Sequence, residues 1–422
     1  MMKIRWSKYI NAYPQKDSVI LFHSVSRCVN KISKEDYEMI NNVLAGTKPT
    51  DDIKKVISEL YVDKCIVKED EVEGEMFKEA RKSRDYSGEC AAYFIPTFTC
   101  NFRCPYCIVD STEHGTENKK LTDEEVITMA KWLKQYVIKN NLKKLTIELF
   151  GGEPLVGFKQ DILFLKELHS LEEQGIELEF NMISNCYLLT EEKVDALIEC
   201  GLKSIQCTID GPKEIHDKRR ILASGKGSYD KIIENIAMLE NKSVSLVIRI
   251  NIDRDNAPYI SGLLDELGER GFAKIASIGI APVDPPVADS NISGHTLETM
   301  QYLETIYKAL RRNNFRFKMW ETFCGHGVEH FFVICPDGKL YNCPSFAGMK
   351  GYEVGNIYEG GFFEDRPKVH EIPDKCYECS LVGVCSGGCY FTKTVHHLND
   401  DYCLEVTHSE MIKQYISNMY GD

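Results

Sequence analysis

The chain has 422 residues and a formal net charge of −13 at pH 7, which allows two or three domains that each bury a core. The acidic balance argues against nucleic acid as a partner, because such binding needs clustered Lys and Arg. The sequence contains neither the roughly 20 consecutive apolar residues of a membrane span nor an apolar signal segment near its N-terminus. We therefore expect a cytoplasmic protein without a membrane partner.

Residues 1–89 are predicted to form a small α/β unit. A strand is predicted at Ser18–His23, and helices are predicted at Lys34–Gly46 and Asp51–Val62 from the spacing of their apolar residues. The segment "KCIVKED" is interpreted as a returning strand. The acidic stretch 69–89 is interpreted as a solvated linker helix.

From Ala91 onward, strand-like and helical segments alternate. Six strands are predicted, in the segments "AAYFIPTF", "KLTIELF", "LEFNMISN", "SIQCTID", "SLVIRINID" and "IASIGIAP". The first helix between them begins with Thr122 and Glu125, which form a capping box, and a last helix is predicted near Leu297–Asn313. Repeated β-then-α units imply parallel strands with right-handed crossovers. Six units favour an α/β fold with a partial (β/α)6 barrel, and an open doubly wound sheet is the alternative.

The segment "CNFRCPYC" follows the first predicted strand, where a functional loop is expected. It contains three cysteines, Cys100, Cys104 and Cys107. A structural zinc site needs four ligands, so zinc would require a distant fourth cysteine. Three thiolates on a four-iron cluster instead leave one iron open to a ligand that reacts.

A second motif, Gly-Gly-Glu-Pro at residues 151–154, ends the second predicted strand. Glycines let the backbone approach a ligand closely. Backbone carbonyls at the strand end, together with Glu153, would accept hydrogen bonds from a ligand amine. Without its neighbours this motif would be an ordinary turn, but beside the cysteine loop it indicates a binding edge.

With these motifs the chain resembles the radical S-adenosylmethionine (SAM) enzymes. Their signature Cys-x3-Cys-x-aromatic-Cys is matched by Cys100, Cys104, Tyr106 and Cys107. The resemblance covers residues 91–313 and implies one [4Fe–4S] cluster together with these SAM-binding residues: Tyr106, Gly151, Gly152, Glu153, Pro154, Ser184, Asn185, Thr208 and Arg220. In the family, a 5′-deoxyadenosyl radical abstracts the substrate hydrogen, so no catalytic acid or base is assigned.

The C-terminal region holds eight further grouped cysteines. Their spacing, with Gly338-x4-Cys343 and Cys376-x2-Cys379-x5-Cys385-x3-Cys389 at its centre, resembles the SPASM domain that some radical SAM enzymes carry. A zinc ribbon is the alternative, but these ligands exceed one zinc site. The six remaining cysteines are scattered and are interpreted as small buried side chains: Cys28, Cys65, Cys90, Cys186, Cys200 and Cys207.

The SPASM resemblance implies two auxiliary [4Fe–4S] clusters, three clusters in all. The second auxiliary cluster would take Cys376, Cys379, Cys385 and Cys403, and the first would take Cys324, Cys343, Cys389 and Cys335. Cys335 is the open assignment. It could ligate the cluster, which we slightly favour, or it could be a buried strand residue that leaves one iron open to a substrate thiolate.

Three domains are predicted at residues 1–89, 90–315 and 316–422. SPASM enzymes mostly modify peptides or proteins, and residues 1–89 resemble the winged-helix-like recognition domain with which ribosomal-peptide maturases bind a leader peptide as an added strand. A plain structural N-terminal domain is the alternative. Sulfatase-maturing relatives carry Asp after the cysteine matched by Cys343, whereas this chain has Pro344.

The resulting hypothesis is a maturase that installs a crosslink in a ribosomally synthesised precursor peptide. A thioether from a Cys sulfur is favoured, as in sactipeptide and ranthipeptide synthases. The expected electron donor is a low-potential protein such as ferredoxin or flavodoxin. The alternatives are carbon–carbon crosslinking, peptide epimerisation, sulfatase maturation and, in a different class, a multi-cluster electron carrier.

Overall fold

The computed structural model of the chain describes most of its length. The described residues are 3–75, 77–79, 88–109, 119–283, 298–317, 328–364, 372–398, 403 and 405–421. Within these ranges, every helix is either too short or too polar to cross a membrane.

The N-terminal unit consists of two small sheets and two helices. Its strands are β1 (Ile4–Trp6), β2 (Ile10–Pro14), β3 (Ser18–His23), β4 (Val29–Ser33) and β5 (Ile66–Lys68). Its helices are α1 (Lys34–Leu44) and α2 (Asp51–Val62). The order of the first sheet is β2-β3-β4, all antiparallel, and β1 pairs with β5. Ser33 and Thr50 cap the two helices by accepting backbone N–H groups, as residues of these types commonly do. The predicted strands and helices of this unit are confirmed.

The acidic stretch that follows β5 is less solvated than we predicted. Glu73 is 2% exposed and Phe77 is fully buried. The Glu73 carboxylate accepts a hydrogen bond from Ser7 and pairs with Arg5 at 2.5 Å, while the Phe77 ring packs against Tyr9. The prediction of a solvated linker is therefore wrong at these positions, because partners distant in sequence bury them. Residues 76 and 80–87 of this stretch lie outside the described residues.

A parallel sheet forms the centre of the protein. Its strands are β6 (Glu89–Phe94), β7 (Lys144–Leu149), β8 (Glu177–Ser184), β9 (Leu202–Thr208), β10 (Ser245–Ile252) and β11 (Ala276–Pro282). These six strands are the predicted ones, and each pairs in parallel with the next in chain order. A doubly wound sheet would need a reversal of strand order. The described order has no reversal and supports the barrel-like arrangement.

Helices connect these strands and pack over the sheet. They are α3 (Asp123–Lys139), α4 (Phe158–Leu168), α5 (Glu191–Glu199), α6 (Lys213–Arg219), α7 (Tyr229–Ala237), α8 (Ala257–Glu269) and α9 (Leu303–Arg312). The predicted capping box of Thr122 and Glu125 is present. Helix α6 was not predicted, because its seven residues are largely charged and show no apolar repeat.

The C-terminal region continues the same sheet. Its strands are β12 (Arg316–Phe317), β13 (Phe331–Ile334), β14 (Lys339–Tyr341), β15 (Gly355–Asn356) and β16 (Gly361–Phe362), and its helices are α10 (Val382–Cys385), α11 (Tyr390–Val395) and α12 (Glu405–Tyr420). Strand β13 pairs in parallel with β6, and β12 pairs in parallel with β11 at the opposite edge. Helix α12 packs on α9, where the Tyr415 and Tyr307 rings are 5.7 Å apart.

The six scattered cysteines lie outside the two cysteine groups of the sequence. Five of them are buried, as predicted for small apolar side chains: Cys65, Cys90, Cys186, Cys200 and Cys207. Cys28 is half-buried, because it follows the turn between β3 and β4. These positions agree with a packing role rather than a metal-binding one.

Candidate active site

The three-cysteine loop leaves the C-terminal end of β6. Cys100 and Cys104 are half-buried and Cys107 is exposed. The loop pairs with the segment 221–223, since Arg103 N–H donates to the carbonyl of Ile221 at 2.8 Å and Ala223 N–H donates to the carbonyl of Asn101 at 2.8 Å. The sequence placed this loop correctly at the functional edge of the sheet.

The three thiols share one neighbourhood. Burial raises the pKa of Cys100 to about 12, and the nearby Glu153, Cys104 and Cys107 add to the effect. Burial raises the pKa of Cys104 to about 11, although the Arg220 guanidinium opposes the shift. Within the described ranges, no three potential ligands stand at metal-binding distances from a common point. The Phe102 N–H donates to Cys100 Sγ at 3.3 Å, a contact that favours a thiolate and fits a cluster ligand.

The Gly-Gly-Glu-Pro motif packs directly against the start of the cysteine loop. Gly152 N–H donates to the Thr97 carbonyl at 3.0 Å, and Glu153 N–H donates to the Thr99 carbonyl at 3.1 Å. A Cβ atom on Gly152 would overlap the carbonyl of Phe98 and would lie 2.6 Å from the carbonyl oxygen of Thr99. Glycine is required here because the two strand ends meet backbone to backbone.

Glu153 is held by the protein itself. Its carboxylate accepts hydrogen bonds from Ser184 Oγ at 2.6 Å, Asn185 N–H at 2.8 Å and Leu155 N–H at 3.1 Å. Because a carboxylate has about four acceptor positions, these three bonds leave about one position for the ligand amine that the sequence suggested. Glu153 therefore ties the end of β8 to the end of β7. Asn185 continues the connection, since its Nδ2 donates to Asn101 Oδ1 at 2.8 Å.

Asp161, in the first turn of α4, is a buried carboxyl group whose ionisation should make the stability of the protein depend on pH. It is 1% exposed, and its Oδ1 atom has no hydrogen-bond partner among the described residues. Burial, and then the charge of Glu153, raise its pKa well above the usual range. The folded protein therefore keeps a proton that the unfolded chain releases above its pKa of about 4. Stability should fall as the pH rises from that value toward the folded-state pKa.

For the protein prepared without iron, we expect this loss to reach about 1.4 kcal/mol per pH unit. Asp161→Asn should remove it, because the amide does not ionise. Denaturant unfolding at several values between about pH 4 and pH 7 would measure the effect, with the exposed Asp255→Asn as control. Parallel pH profiles for the wild type and Asp161→Asn would contradict the assignment.

The sequence analysis missed Asp210, a buried carboxyl group that contacts Tyr106. The Tyr106 hydroxyl donates to Asp210, and Arg220 Nη1 donates to the Tyr106 oxygen at 3.0 Å. Asp210, fully buried after the end of β9, also accepts from Asn251 N–H at 3.0 Å. Its position in "TIDGP", directly after a predicted strand, was the signal that could have identified it. Arg220 thus contacts the cysteine loop through Tyr106. Thr208, another predicted SAM contact, lies at the end of β9 and is 7% exposed.

Four C-terminal cysteines are also brought together. Burial raises the pKa of Cys385 to about 12, and Cys403, Cys376 and Cys379 all add to that shift. Backbone N–H groups point at the sulfurs, as the Leu381 N–H does at 3.4 Å from Cys379 Sγ. This donor set fits the predicted second auxiliary cluster, for which these four residues would be the ligands.

The structure describes three of the four ligands that were predicted for the first auxiliary cluster. Cys324 lies outside the described residues. Cys335 is fully buried directly after β13, where burial raises its pKa well above the usual range. Cys335 is part of a buried apolar cluster, and Cys343 packs against that cluster. Cys389 is exposed. Both interpretations of Cys335 remain predictions, since it is a buried strand-end residue that also belongs to the apolar cluster against which Cys343 packs.

Comparisons with known proteins identify the class. Residues 94–267 match the Radical SAM superfamily. The radical SAM cyclopropyl synthase TigE of Paramaledivibacter caminithermalis is 22% identical over 430 residues, covering 91% of this chain and 89% of TigE. A cysteine-type anaerobic sulfatase-maturating enzyme of Clostridium novyi is 24% identical over 328 residues, covering 69% of this chain and 84% of the relative.

A solved structure shares the fold. The anSMEcpe structure with bound AdoMet and Kp18Cys peptide superposes with a TM-score of 0.63 at 17% identity, covering 79% of this chain and 97% of that chain. The segment 94–267, which runs from the end of β6 into α8, is a radical SAM domain, and the chain is an enzyme. Enzymes with such a domain use a [4Fe–4S] cluster and SAM. The similarity to TigE and to the sulfatase-maturating enzyme sets aside the electron-carrier alternative.

Proposed function

We propose that this enzyme installs a crosslink, a thioether from a Cys sulfur, in a ribosomally synthesised precursor peptide. The observation that carries the proposal is the N-terminal sheet with an edge strand suited to peptide addition. The extent of similarity supports it, since the likeness to TigE spans 91% of the chain and that to the sulfatase-maturating enzyme spans 69%. SAM and the reduced cluster, when bound, supply the radical that takes a hydrogen atom from the peptide.

The residues of this chain would hold these groups as follows. Cys100, Cys104 and Cys107 would ligate the SAM cluster, and the glycine motif would present backbone to SAM beside it. Glu153 would keep the ends of β7 and β8 in place through its bonds to Ser184 and the backbone. The SAM contacts predicted from the sequence all stay part of this proposal: Tyr106, Gly151, Gly152, Glu153, Pro154, Ser184, Asn185, Thr208 and Arg220.

The two C-terminal cysteine groups would hold two auxiliary [4Fe–4S] clusters, giving three in all. One of them would receive the electron released when the carbon–sulfur bond forms. A ferredoxin or flavodoxin would reduce the SAM cluster. We place the enzyme in the cytoplasm, because its many free thiols suit a reducing compartment.

The edge available to a peptide is that of β4. In the antiparallel pair β3-β4, His23 N–H donates to the Cys28 carbonyl at 3.0 Å. Because the backbone bonds of an antiparallel pair alternate, Cys28 and Asn30 face β3, whereas the backbone groups of Val29 face away from it. Among the described residues, no strand pairs with β4 on that side. At the other edge, β2 ends in Pro14, which has no N–H to donate.

We expect Val29→Pro to weaken binding of the precursor peptide while SAM cleavage without peptide continues. Proline removes the outward N–H that an added strand would use, and it leaves the bonds to β3 in place. Titration calorimetry with a Cys-containing peptide encoded beside the gene would measure the loss. Val29→Ala is the matched control, because it shortens the side chain but keeps the N–H. Equal affinity for both variants would remove the strand-addition proposal.

Sulfatase maturation is the second candidate, favoured by the similarity to the Clostridium novyi enzyme. The two functions leave different products on the same cysteine. A thioether product resists thiol alkylation and does not react with a hydrazine, whereas the aldehyde of a matured sulfatase peptide does react. Incubating the reduced enzyme and SAM with each peptide, followed by mass spectrometry after both reagents, separates the two candidates.

A further inference from the structure

The N-terminal sheet is attached to the segment that would carry the second auxiliary cluster. We call residues 376–385, which include Cys376, Cys379 and Cys385, the cluster loop. Side chains of the first 27 residues reach this loop through hydrogen bonds. Lys8 Nζ donates to Glu378 at 2.8 Å, and the Tyr9 hydroxyl donates to the Tyr377 carbonyl at 2.9 Å. Asn11 Nδ2 donates to the Ser380 carbonyl at 3.2 Å, Asn11 Oδ1 accepts from Ser380 Oγ at 2.8 Å, and Arg27 Nη2 donates to the Gly383 carbonyl at 2.6 Å. Two domains distant in sequence therefore meet at the predicted cluster.

The closest approach is made by the hairpin turn of residues 24–28, which joins β3 to β4. A Cβ atom on Gly383 would lie within 2.5 Å of the carbonyl carbon of Ser24 and 2.7 Å from the Cα atom of Val25. Gly383 lies in α10, between Cys379 and Cys385. The hairpin turn thus sits backbone to backbone on the loop that bears three predicted ligands.

The hairpin turn is itself fixed from within its domain. The Ser26 N–H donates to His23 Nδ1 at 3.0 Å, and His23 Nε2 lies 3.0 Å from Ser7 Oγ. Burial lowers the pKa of His23 to about 4, so the ring is neutral near pH 7 and Nδ1 can accept. The turn therefore offers the cluster loop a rigid surface rather than a mobile one.

An apolar contact supports the polar ones. Tyr9, Phe77, Ile372 and Val382 are buried together, and Cys376 packs against them. Packing of this kind resists displacement, because separating the surfaces would expose apolar area to water. The sulfur of one predicted ligand is thereby placed at the boundary between the two domains.

We propose that the hairpin turn and Tyr9 are positioning residues for the second auxiliary cluster, so that its retention and reduction potential depend on the N-terminal domain. This inference rests on the proposed function, in which that cluster is present. Groups that hold metal ligands in place from outside commonly change affinity by 10–100-fold when removed. Because β4 starts at the end of the hairpin turn, a peptide added to β4 would bind next to the surface that holds the cluster loop.

The test uses the full chain with Cys100, Cys104 and Cys107 replaced by Ala and reconstituted with iron and sulfide, so that only auxiliary clusters are present. Gly383→Ala adds the overlapping Cβ, and Arg27→Ala removes the bond to the Gly383 carbonyl. Gly262→Ala is the matched control, because it lies in α8 with no atom within 4 Å of the added Cβ. Redox titration followed by electron paramagnetic resonance gives the midpoint potentials, and a chelator measures iron release.

We expect both variants to shift the midpoint potential of one auxiliary cluster and to speed its loss to the chelator by about 10-fold, while Gly262→Ala matches the parent. Arg27→Lys should restore part of the effect, since it keeps a donor. If Gly383→Ala does not fold, the comparison of Arg27→Ala with the parent is sufficient to test the inference. Unchanged potentials and release in Arg27→Ala overturn the inference, whereas a parent that loads no auxiliary cluster overturns the proposed cofactor set and the inference together.

Discussion

Replacing Cys100, Cys104 and Cys107 together by Ala should abolish SAM cleavage and leave two of the three clusters. Cys104 and Cys107 lie close enough to Cys100 to add to the rise that burial causes in its pKa, and the three residues share a loop at the functional end of the sheet. Without them, no thiolate remains at that loop to hold the cluster that SAM binds. Iron analysis after anaerobic reconstitution, together with chromatography of 5′-deoxyadenosine under reducing conditions, measures both effects.

The control for this variant removes cysteines that we do not place at any cluster. Cys28→Ala/Cys200→Ala keeps all eleven grouped thiols, so it should load the same iron as the wild type and cleave SAM normally. The assignment would be wrong if the triple variant still cleaved SAM. It would also be wrong if the control lost a full cluster.

Gly152→Ala should reduce SAM cleavage by about 100-fold, the scale of loss that misplacing a reactive group by 1 Å can cause. The added Cβ overlaps the Phe98 carbonyl and lies 2.6 Å from that of Thr99, and neither neighbour is a flexible side chain. The backbone that leads into Cys100 must therefore move. The rate of 5′-deoxyadenosine formation at saturating SAM, compared with iron content, would show whether the cluster is lost or only displaced.

Gly262→Ala again serves as the comparison, because the same change meets open space in α8. It should keep wild-type cleavage. A Gly152→Ala enzyme with normal iron content and normal cleavage would mean that the two strand ends can separate without consequence. That result would remove the structural reason for glycine at this position.

Much of the radical SAM domain was predictable from the sequence, because residues that are close together in the chain mark its strands, helices and motifs. Each of the six parallel strands is a short segment in which apolar residues recur, often at every second position, and each was placed correctly between helical segments. The three-cysteine loop and the Gly-Gly-Glu-Pro motif were placed at neighbouring strand ends for the same reason, since parallel strands in chain order bring their C-terminal ends to one edge.

Features that depend on distant partners were not predictable. Glu73 and Phe77 have the sequence context of a solvated helix, yet Arg5, Ser7 and Tyr9 bury them. The hydrogen bonds that Glu153 accepts from Ser184 and two backbone N–H groups were not predictable either. Hydrogen-bond partners are set by tertiary packing, which periodicity does not record.

The pairing of β13 with β6 has a consequence for electron flow. Phe331–Ile334 lie in register with Ala91–Phe94, and the Ile95 N–H donates to the Ile334 carbonyl at 2.9 Å. Two cysteine-bearing segments, one starting toward Cys100 and the other at Cys335, therefore leave a single hydrogen-bonded ladder side by side. Clusters held by these segments would both be anchored to this ladder, which would fix the distance between them. Because tunnelling rates fall exponentially with distance, a fixed distance would also fix the rate of electron transfer between the two clusters.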